Sequence, residues 1–302
     1  AITQDSAVTI DITGGAITNT NGDFTKLNNV ASGTAGAITA SVTGTGGDLA
    51  TLSNLSTNDV ITFVVNAHST NTKDNITTIS GYTDGATLID VASIVDDYTD
   101  VKAVLDNAKV DHGDANVTIT TGAFTTANYT TVKNAIGTGT VDFSATGISG
   151  SYTQLTGLGA SVIGGQTITV DDAITFTKLN DLIDNYNVNI DNLTFTLSAS
   201  SNDLLLNSNA TKVSKASAIE VTDSTSITRL DAIQTAAKSG VELNSGITYT
   251  GVTDSASVLT TTDVDTKAKL ANKVLTFNEN ATAAQFRAAL LNDGTGRVVG
   301  AV

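Results

Sequence analysis

The stretch Phe24-Thr25-Lys26-Leu27-Asn28 returns unchanged as Phe176-Thr177-Lys178-Leu179-Asn180, at an offset of about six periods of 25 residues. Weaker copies, in which one apolar residue is followed by another three positions later, surround these two stretches: Leu49/Leu52, Ile76/Ile79, Val101/Val104, Tyr129/Val132, Tyr152/Leu155, Ile227/Leu230 and Phe286/Ala289. This spacing is typical of a short amphipathic helix. Because Asp23, Asp48, Asp100 and Asn128 stand just before such pairs, we expect them to cap the first turns of the helices.

A segment in which apolar residues alternate with Thr precedes most of the predicted helices. Alternation with a period of two is typical of a β-strand. Examples are residues 8–12, 60–65, 117–120, 141–143, 168–170, 193–197 and 247–250. Gly-rich breaks at 33–36, 137–139 and 164–165 are suited to ending the helices, so the predicted unit is strand, polar turn, helix and Gly turn.

Stacked copies of this unit predict an α/β repeat fold, because one unit cannot bury its apolar face alone. We expect residues 1–302 to form a single elongated solenoid of about eleven repeats of about 25 residues, with an irregular coil near 241–273. It should be a right-handed β/α solenoid with a parallel sheet and one row of short helices, since β-α-β crossovers are nearly always right-handed. An all-β solenoid and two unrelated β-rich domains are the alternatives. The repeat predicts equivalent inward positions for Phe24, Leu49, Ile76, Val101, Tyr129, Tyr152 and Phe176.

The composition excludes several classes of function. With 40% hydrophobic and 15% charged residues, the chain of 302 residues is too apolar to be disordered. It has no Cys, which excludes a disulfide framework, a thiolate metal site and a thiol nucleophile. Its net charge of −15 opposes binding to nucleic acid and to anionic membranes. No apolar run is long enough to cross a bilayer, and the lack of Met favours a segment of a longer protein.

The residues that could carry catalysis do not form a recognisable set. The two His residues, His68 and His112, stand in different predicted repeats, and His112 between two Asp residues is interpreted as part of a solvated turn. Adjacent carboxylates at Asp96-Asp97 and Asp171-Asp172 resemble the Asp clusters of solenoids that cleave acidic polysaccharides. Neighbouring side chains on a strand point to opposite faces, however, so these pairs are not expected to converge. We therefore predict that the protein is not an enzyme.

Calcium is the one cofactor that the acidic turns suggest. Asp and Asn oxygens in turns are ligands for hard cations, and the candidate ligands are Asp23, Asp48, Asp111, Asp114, Asp263 and Asp265. None of these turns matches an EF-hand loop. Helix capping explains most of these Asp residues without a metal, so both interpretations stay open.

Pairs of Thr separated by one residue form a candidate binding surface: Thr118/Thr120, Thr167/Thr169, Thr194/Thr196 and Thr248/Thr250. Stacked in register, they would make a ladder of hydroxyl and methyl groups about 4.8 Å apart, as in β-solenoid antifreeze proteins. Thr is also a strong β-former that keeps an exposed sheet face soluble, and Asp11, Asp142 and Glu220 interrupt the pattern. The solubility role is the favoured interpretation, and an ice-binding or carbohydrate-binding solenoid is an alternative.

The phrases Asp172-Ala173-Ile174-Thr175-Phe176-Thr177-Lys178-Leu179 and Asn280-Ala281-Thr282-Ala283-Ala284-Gln285-Phe286 resemble repeats of very large, Cys-free bacterial surface proteins, including cyanobacterial surface-layer and adhesin-like proteins. The resemblance is one of composition and covers most of the chain. It implies secretion, a place at the cell surface, a structural or adhesive role in a surface layer, filament or large adhesin, and dependence on calcium. It implies no catalytic residues. A viral fibre or appendage protein is an alternative, but no sustained heptads support one.

Both end segments, 1–12 and 297–302, have the pattern of strands without an evident polar cap. An uncovered edge of a parallel sheet exposes apolar side chains and unpaired backbone groups. We therefore expect head-to-tail contacts with copies of the chain or with adjacent repeats. Cell-surface glycans are a further candidate partner.

Overall fold

A computed structural model of the chain describes residues 9–83, 87–293 and 298–299. The strand positions expected at 1–8, at 297 and at 300–302 lie outside these residues. The chain divides into two compact units, Ala1–Ile148 and Ser149–Val302. Each unit is described separately.

The first unit alternates short strands with short helices. Its strands are β1 (Ile10–Asp11), β2 (Ile38–Gly44), β3 (Val60–Val65), β4 (Ile89–Val91), β5 (Ser93–Asp96), β6 (Val110–Asp111), β7 (Asn116–Ile119) and β8 (Val141–Asp142). Its helices are α1 (Asp23–Gly33), α2 (Gly46–Leu49), α3 (Lys73–Ser80), α4 (Tyr98–Leu105) and α5 (Thr126–Ile136).

The second unit has the same alternation. Its strands are β9 (Ile148–Gly150), which begins one residue before the boundary, β10 (Ile168–Ile174), β11 (Leu193–Ala199), β12 (Ala218–Val221), β13 (Ile247–Tyr249), β14 (Gly251–Asp254), β15 (Val274–Phe277) and β16 (Val298–Val299). Its helices are α6 (Tyr152–Leu158), α7 (Ala160–Ile163), α8 (Phe176–Asp184), α9 (Ser201–Leu204), α10 (Ala210–Lys215), α11 (Ile227–Ala236), α12 (Ala256–Leu259), α13 (Val264–Leu270) and α14 (Ala283–Asp293). Short 3₁₀ turns cover Ile190–Asn192 and Asn207–Asn209. Region 241–273, where an irregular coil is expected, holds β13, β14 and two successive helices.

Each unit contains a five-stranded and a three-stranded sheet. Their orders are β1-β2-β3-β4-β6 and β5-β7-β8 in the first unit, and β13-β12-β11-β10-β9 and β14-β15-β16 in the second. The strand pairs are parallel wherever their register is described. One residue separates β4 from β5 and β13 from β14, so the chain passes directly from the larger sheet to the smaller. Parallel strands alternating with helices confirm the α/β class, and the all-β alternative is wrong.

Alternation along β11 produces one buried and one exposed face. Leu193, Phe195 and Leu197 are buried, whereas Thr194 is exposed. Leu197 stands in register with Ile219 of β12, which continues the apolar row into the next strand. Fully burying such a side chain contributes about 1.5–3 kcal/mol, so the buried face holds the strands in this register.

The helices begin in a recurring way. A Ser, Thr or Asp cap is followed four residues later by a side chain that is at most 1% exposed: Leu49, Ile76, Val101, Leu155, Leu179, Leu204, Leu230 and Leu259. These positions recur about every 26 residues, which matches the period expected from the sequence.

Two parts of the predicted helix pattern are wrong. Tyr152 and Phe176 are only half-buried, because each is the first residue of its helix, and the inward residue comes three positions later. Tyr129 is also half-buried and meets Phe143 edge to face, with ring centroids 5.9 Å apart.

The second error concerns the caps. Asp48, Asp100 and Asn128 lie inside the first turn, and the caps are Thr45, Asp97 and Thr125, three residues earlier. Each helix begins directly after its cap, because the cap side chain accepts the N–H of the third helical residue. Asp23 is the first residue of α1, whose cap position is Gly22 with a left-handed φ of 74°.

Candidate functional site

Polar side chains in both units concentrate at the first turns of the helices. Ser, Thr or Asp caps accept the third helical N–H at Thr45, Thr72, Asp97, Thr125, Ser151, Thr175, Ser200, Ser226 and Asp263. At α6 the reciprocal bond is also present, since Gln154 accepts the Ser151 N–H at 2.9 Å. Each such cap stabilises its helix by about 1 kcal/mol.

A second set of acceptors reaches these helices from the following repeat, where a repeat means a strand with the helices that follow it. We call these side chains cross-repeat caps: Asn71, Asp96, Asp172, Asp223, Asp254 and Glu279. Each accepts the N–H of a first helical residue 20 to 27 positions earlier, at 2.6 to 3.0 Å. Their role follows from geometry, because the first four N–H groups of a helix have no partner inside it.

Asn71 is a cross-repeat cap whose side-chain amide both accepts and donates hydrogen bonds. It is fully buried, and its Oδ1 accepts the Gly46 N–H at 2.7 Å. Its Nδ2 donates to the Asn66 carbonyl at 2.7 Å and to Ser93 Oγ at 2.9 Å. The amide therefore links three successive repeats, and a buried polar group of this kind is tolerated because its hydrogen bonds are satisfied.

Around Tyr152 the cross-repeat cap belongs to a larger cluster. Asp172 Oδ1 accepts the Tyr152 N–H at 2.7 Å, and Lys178 Nζ lies 3.8 Å from Asp172 Oδ2 and 5.1 Å from the Tyr152 ring centre. The Tyr152 hydroxyl donates to Asp181 Oδ2 at 2.5 Å, and this hydrogen bond raises the pKa of Tyr152 to about 12. The same bond lowers the pKa of Asp181. These contacts join α6 to β10 and α8.

One group of carboxylates in the described part of the chain has the spacing for a cation. Oxygens of Asp96, Asp97 and Asp100, called the acidic triad, lie within 4.8 Å of one another. The expectation that Asp96 and Asp97 diverge is wrong, because β5 ends at Asp96 and Asp97 turns out of the strand to cap α4. Strand alternation therefore no longer applies to the pair.

Protein groups already occupy much of the acidic triad. Asp96 accepts the Lys73 N–H at 3.0 Å and the Asp97 N–H at 3.0 Å. Asp97 Oδ1 accepts the Asp100 N–H at 3.0 Å, and Lys73 Nζ lies 3.7 Å from Asp100 Oδ1. Much of the hydrogen-bonding capacity of the acidic triad therefore serves the first turns of α3 and α4.

The six predicted calcium ligands lie outside the acidic triad. Asp23 pairs with Lys26 at 2.6 Å, and Asp48 accepts hydrogen bonds from Thr45 and Asn19 at 2.8 and 3.0 Å. Asp263 caps α13 by accepting the Thr266 N–H at 2.7 Å, which lowers its pKa. Asp265 follows in the same first turn and lines an open cavity of about 550 Å³.

Asp111 and Asp114 form a different acidic group with Asp90. Asp90 on β4 is the register partner of Asp111 on β6, and both are exposed. Partial burial raises the pKa of Asp90, and the charges of Asp114 and Asp111 add to the rise. Asp111 also accepts the Gly113 N–H at 3.3 Å, as expected of a turn residue.

Both His residues serve local structure. His68 Nδ1 lies 2.9 Å from Thr70 Oγ1, and that hydroxyl also accepts the Gly47 N–H at 3.1 Å. His112 is half-buried, with Nε2 2.9 Å from the Leu105 carbonyl oxygen. Neither arrangement resembles a base that activates a nucleophile.

The predicted Thr surface is only partly in register within the described residues. Thr169 and Thr194 are direct partners on β10 and β11. Thr196 stands opposite Ala173 and Ala218, Thr248 opposite Glu220, and Thr118 opposite Val95 and Asp142. Thr120, Thr167 and Thr250 lie just outside the strands. The structure thus brings together one Thr–Thr step.

No family model, curated protein or solved structure matches the chain. Across the described ranges, no helix is both long and apolar enough to cross a membrane. Function is therefore inferred from this chain's own residues.

Proposed function

We propose that the chain is a non-catalytic structural or adhesive module at the outside of a cell, of the kind that builds surface layers, filaments or large adhesins. The observation that carries this proposal is the use of its acidic and amide side chains. The side-chain oxygens of the six cross-repeat caps accept hydrogen bonds from backbone N–H groups of helices in the preceding repeats. Side chains committed in this way stabilise a repeated scaffold rather than a reaction.

We further propose that the strands and helices of each unit wind as a right-handed β/α solenoid. Successive parallel strands pair with one another, and the cross-repeat caps bridge consecutive repeats, as nearest-neighbour stacking requires. The handedness rests on the general preference of β-α-β crossovers. The outward positions of strands such as β3 and β11 are exposed or half-buried, and side chains in such positions can contact partners at a cell surface.

Head-to-tail contact with copies of the chain or with adjacent repeats is part of the same proposal. Among the described residues β1 is an edge strand of the five-stranded sheet in the first unit, and an edge strand offers unpaired N–H and C=O groups to another chain. Sedimentation of the purified chain over a range of concentrations tests self-association, and a single monomeric species throughout would oppose it.

The location is tested by labelling intact cells of the source organism with antibodies raised against the chain. We expect labelling without permeabilisation and loss of the signal when external protease is added. A cytoplasmic protein of the same cells is the control for intactness. Labelling only after permeabilisation would oppose a surface role, and labelling confined to virus particles would support a fibre or appendage protein instead.

A further inference from the structure

A cavity of about 380 Å³ in the second unit combines an aromatic ring with a set of hydroxyl, amide and carboxylate groups. Phe176, Thr177, Ser198, Asp203, Asn209 and Thr222 contribute to its wall. The first two residues stand at the start of α8, and Ser198 stands at the end of β11. Asp203 belongs to α9, Asn209 to the 3₁₀ turn that follows α9, and Thr222 directly follows β12. The volume lies in the range of small-molecule sites.

One side of the cavity is formed at the position just before a helix cap, which holds a large polar side chain in three other repeats and a smaller or apolar residue, such as Gly44 or Ile174, elsewhere. Ala199 lines the cavity and stands one residue before the cap Ser200. Asn71, Asp96 and Asp254 occupy the corresponding position before their own caps and fill it with an amide or carboxylate. The methyl group of Ala199 leaves that volume open.

The cavity wall has unused hydrogen-bonding capacity. The Ser198, Thr177 and Thr222 hydroxyls bond to no other group in the described part of the protein. Asp203 receives the Ser200 hydroxyl on Oδ2 at 2.7 Å, which leaves Oδ1 as an acceptor. Asn209 uses Nδ2 to reach the Asp203 carbonyl at 2.8 Å, which leaves its Oδ1. Three hydroxyls and two carbonyl-type oxygens around one space match a ligand that is rich in hydroxyl groups.

Phe176 gives the same space an apolar surface. Its ring is half-buried, whereas Phe24, in the identical pentapeptide of the first unit, is 3% exposed. A sugar ring offers the matching combination, an apolar C–H face for an aromatic ring and hydroxyl groups at its edge for polar neighbours.

The negative charge of Asp203 favours neutral sugars over acidic ones in this cavity. Among the described residues that line it, Asp203 is the one ionisable side chain and none is basic. Lys178, two residues after Phe176, extends instead toward Asp172 and Tyr152. A carboxylate without a cation repels uronic and sialic acids.

We propose that this cavity binds a neutral sugar unit of a surface glycan. The inference deepens the adhesive part of the proposed function by naming a ligand class. The sugar-binding test uses the purified chain and does not depend on where the protein lies in the cell. Sugar binding can therefore fail while surface labelling succeeds, and surface labelling can fail while sugar binding succeeds.

The test follows NMR signals of the full chain labelled with ¹⁵N-phenylalanine, which gives at most eight amide signals. The probes are maltotriose, cellotriose and triacetylchitotriose, with trigalacturonate as the anionic counterpart, each added to about 20 mM. We expect at least one neutral probe to move the Phe176 signal with a dissociation constant of about 1 mM, and trigalacturonate to leave it unmoved. The signal is assigned with the variant Phe176→Leu.

Two variants and one control locate the site. Isothermal titration with the responding probe should show about tenfold weaker binding for Phe176→Leu, and a similar loss for Asp203→Ala, which removes the acceptor oxygen Oδ1. Thr153→Ala, at an exposed position on α6 of the same unit and outside the cavity wall, should bind like the unaltered chain. The proposal is overturned if no neutral probe moves the Phe176 signal, if trigalacturonate binds as well as the neutral probes, or if Asp203→Ala in a folded chain leaves the affinity unchanged.

Discussion

Asp90 stands beside Asp111 across two parallel strands, on an exposed face where like charges oppose each other. Burial and the two neighbouring carboxylates raise its pKa above the ordinary 3.8. The folded protein therefore holds this proton more tightly than the unfolded chain does. As a result, the free energy of unfolding should fall as pH rises from 3.8 through the raised pKa.

The substitution Asp90→Asn should remove this decrease in the free energy of unfolding with rising pH. At neutral pH we expect the variant to be more stable than the unaltered chain by about 0.5 kcal/mol, because one of two opposed charges is gone. Urea unfolding at several pH values, followed by circular dichroism, measures the difference. Asp11→Asn is the matched control, since the register partner of Asp11 is Thr39. Equal pH profiles for the unaltered chain and Asp90→Asn would contradict the electrostatic account.

Among the elements, helix α6 offers the sharpest test of the cross-repeat caps. Asp172→Ala removes the acceptor of the Tyr152 N–H and should lower the free energy of unfolding by about 1–2 kcal/mol. Asp172→Asn retains an acceptor oxygen and should recover most of the loss. Urea midpoints, with the slope checked for constancy, give the comparison.

Asp171 supplies the control from the neighbouring position. It is exposed, and no described group bonds to it, so Asp171→Ala should change stability by less than about 0.5 kcal/mol. Equal losses for the two Ala variants would show that the effect comes from general charge rather than from the cap.

In α2, α4 and α5 the period and the buried side of the helix can be predicted from the sequence, whereas the position of the cap cannot. The apolar residues Leu49 and Val101 predict the period and the buried side of each helix, because both depend on local spacing. The predicted caps lie three residues too late, because Asp48, Asp100 and Asn128 are themselves favourable capping residues and stand beside the apolar residue that marks each helix. Asp96 and Asp223 could not be recognised as partners of Lys73 and Ser201, because their register between repeats is set only by folding.

For the whole molecule, calcium dependence stays a proposal, and the acidic triad is its testable site. Extracellular calcium sites commonly have dissociation constants of about 10⁻⁴–10⁻³ M, so about 5 mM calcium should stabilise the chain by about 1–2 kcal/mol. Calcium should then raise the melting temperature and EDTA lower it, and Asp100→Asn should abolish the gain. An unchanged melting curve in both solutions would leave helix capping as the role of these carboxylates.

Stacking of each repeat on its neighbours is the central claim, and hydrogen exchange of Asp172→Ala against the unaltered chain tests it most directly. If repeats interact mainly with adjacent repeats, the lost cap should speed amide exchange in peptides from residues 152–174. Peptides from 247–277, several repeats away in the same unit, should keep their protection. A loss of protection spread evenly over both regions, or no loss at α6, would contradict this claim.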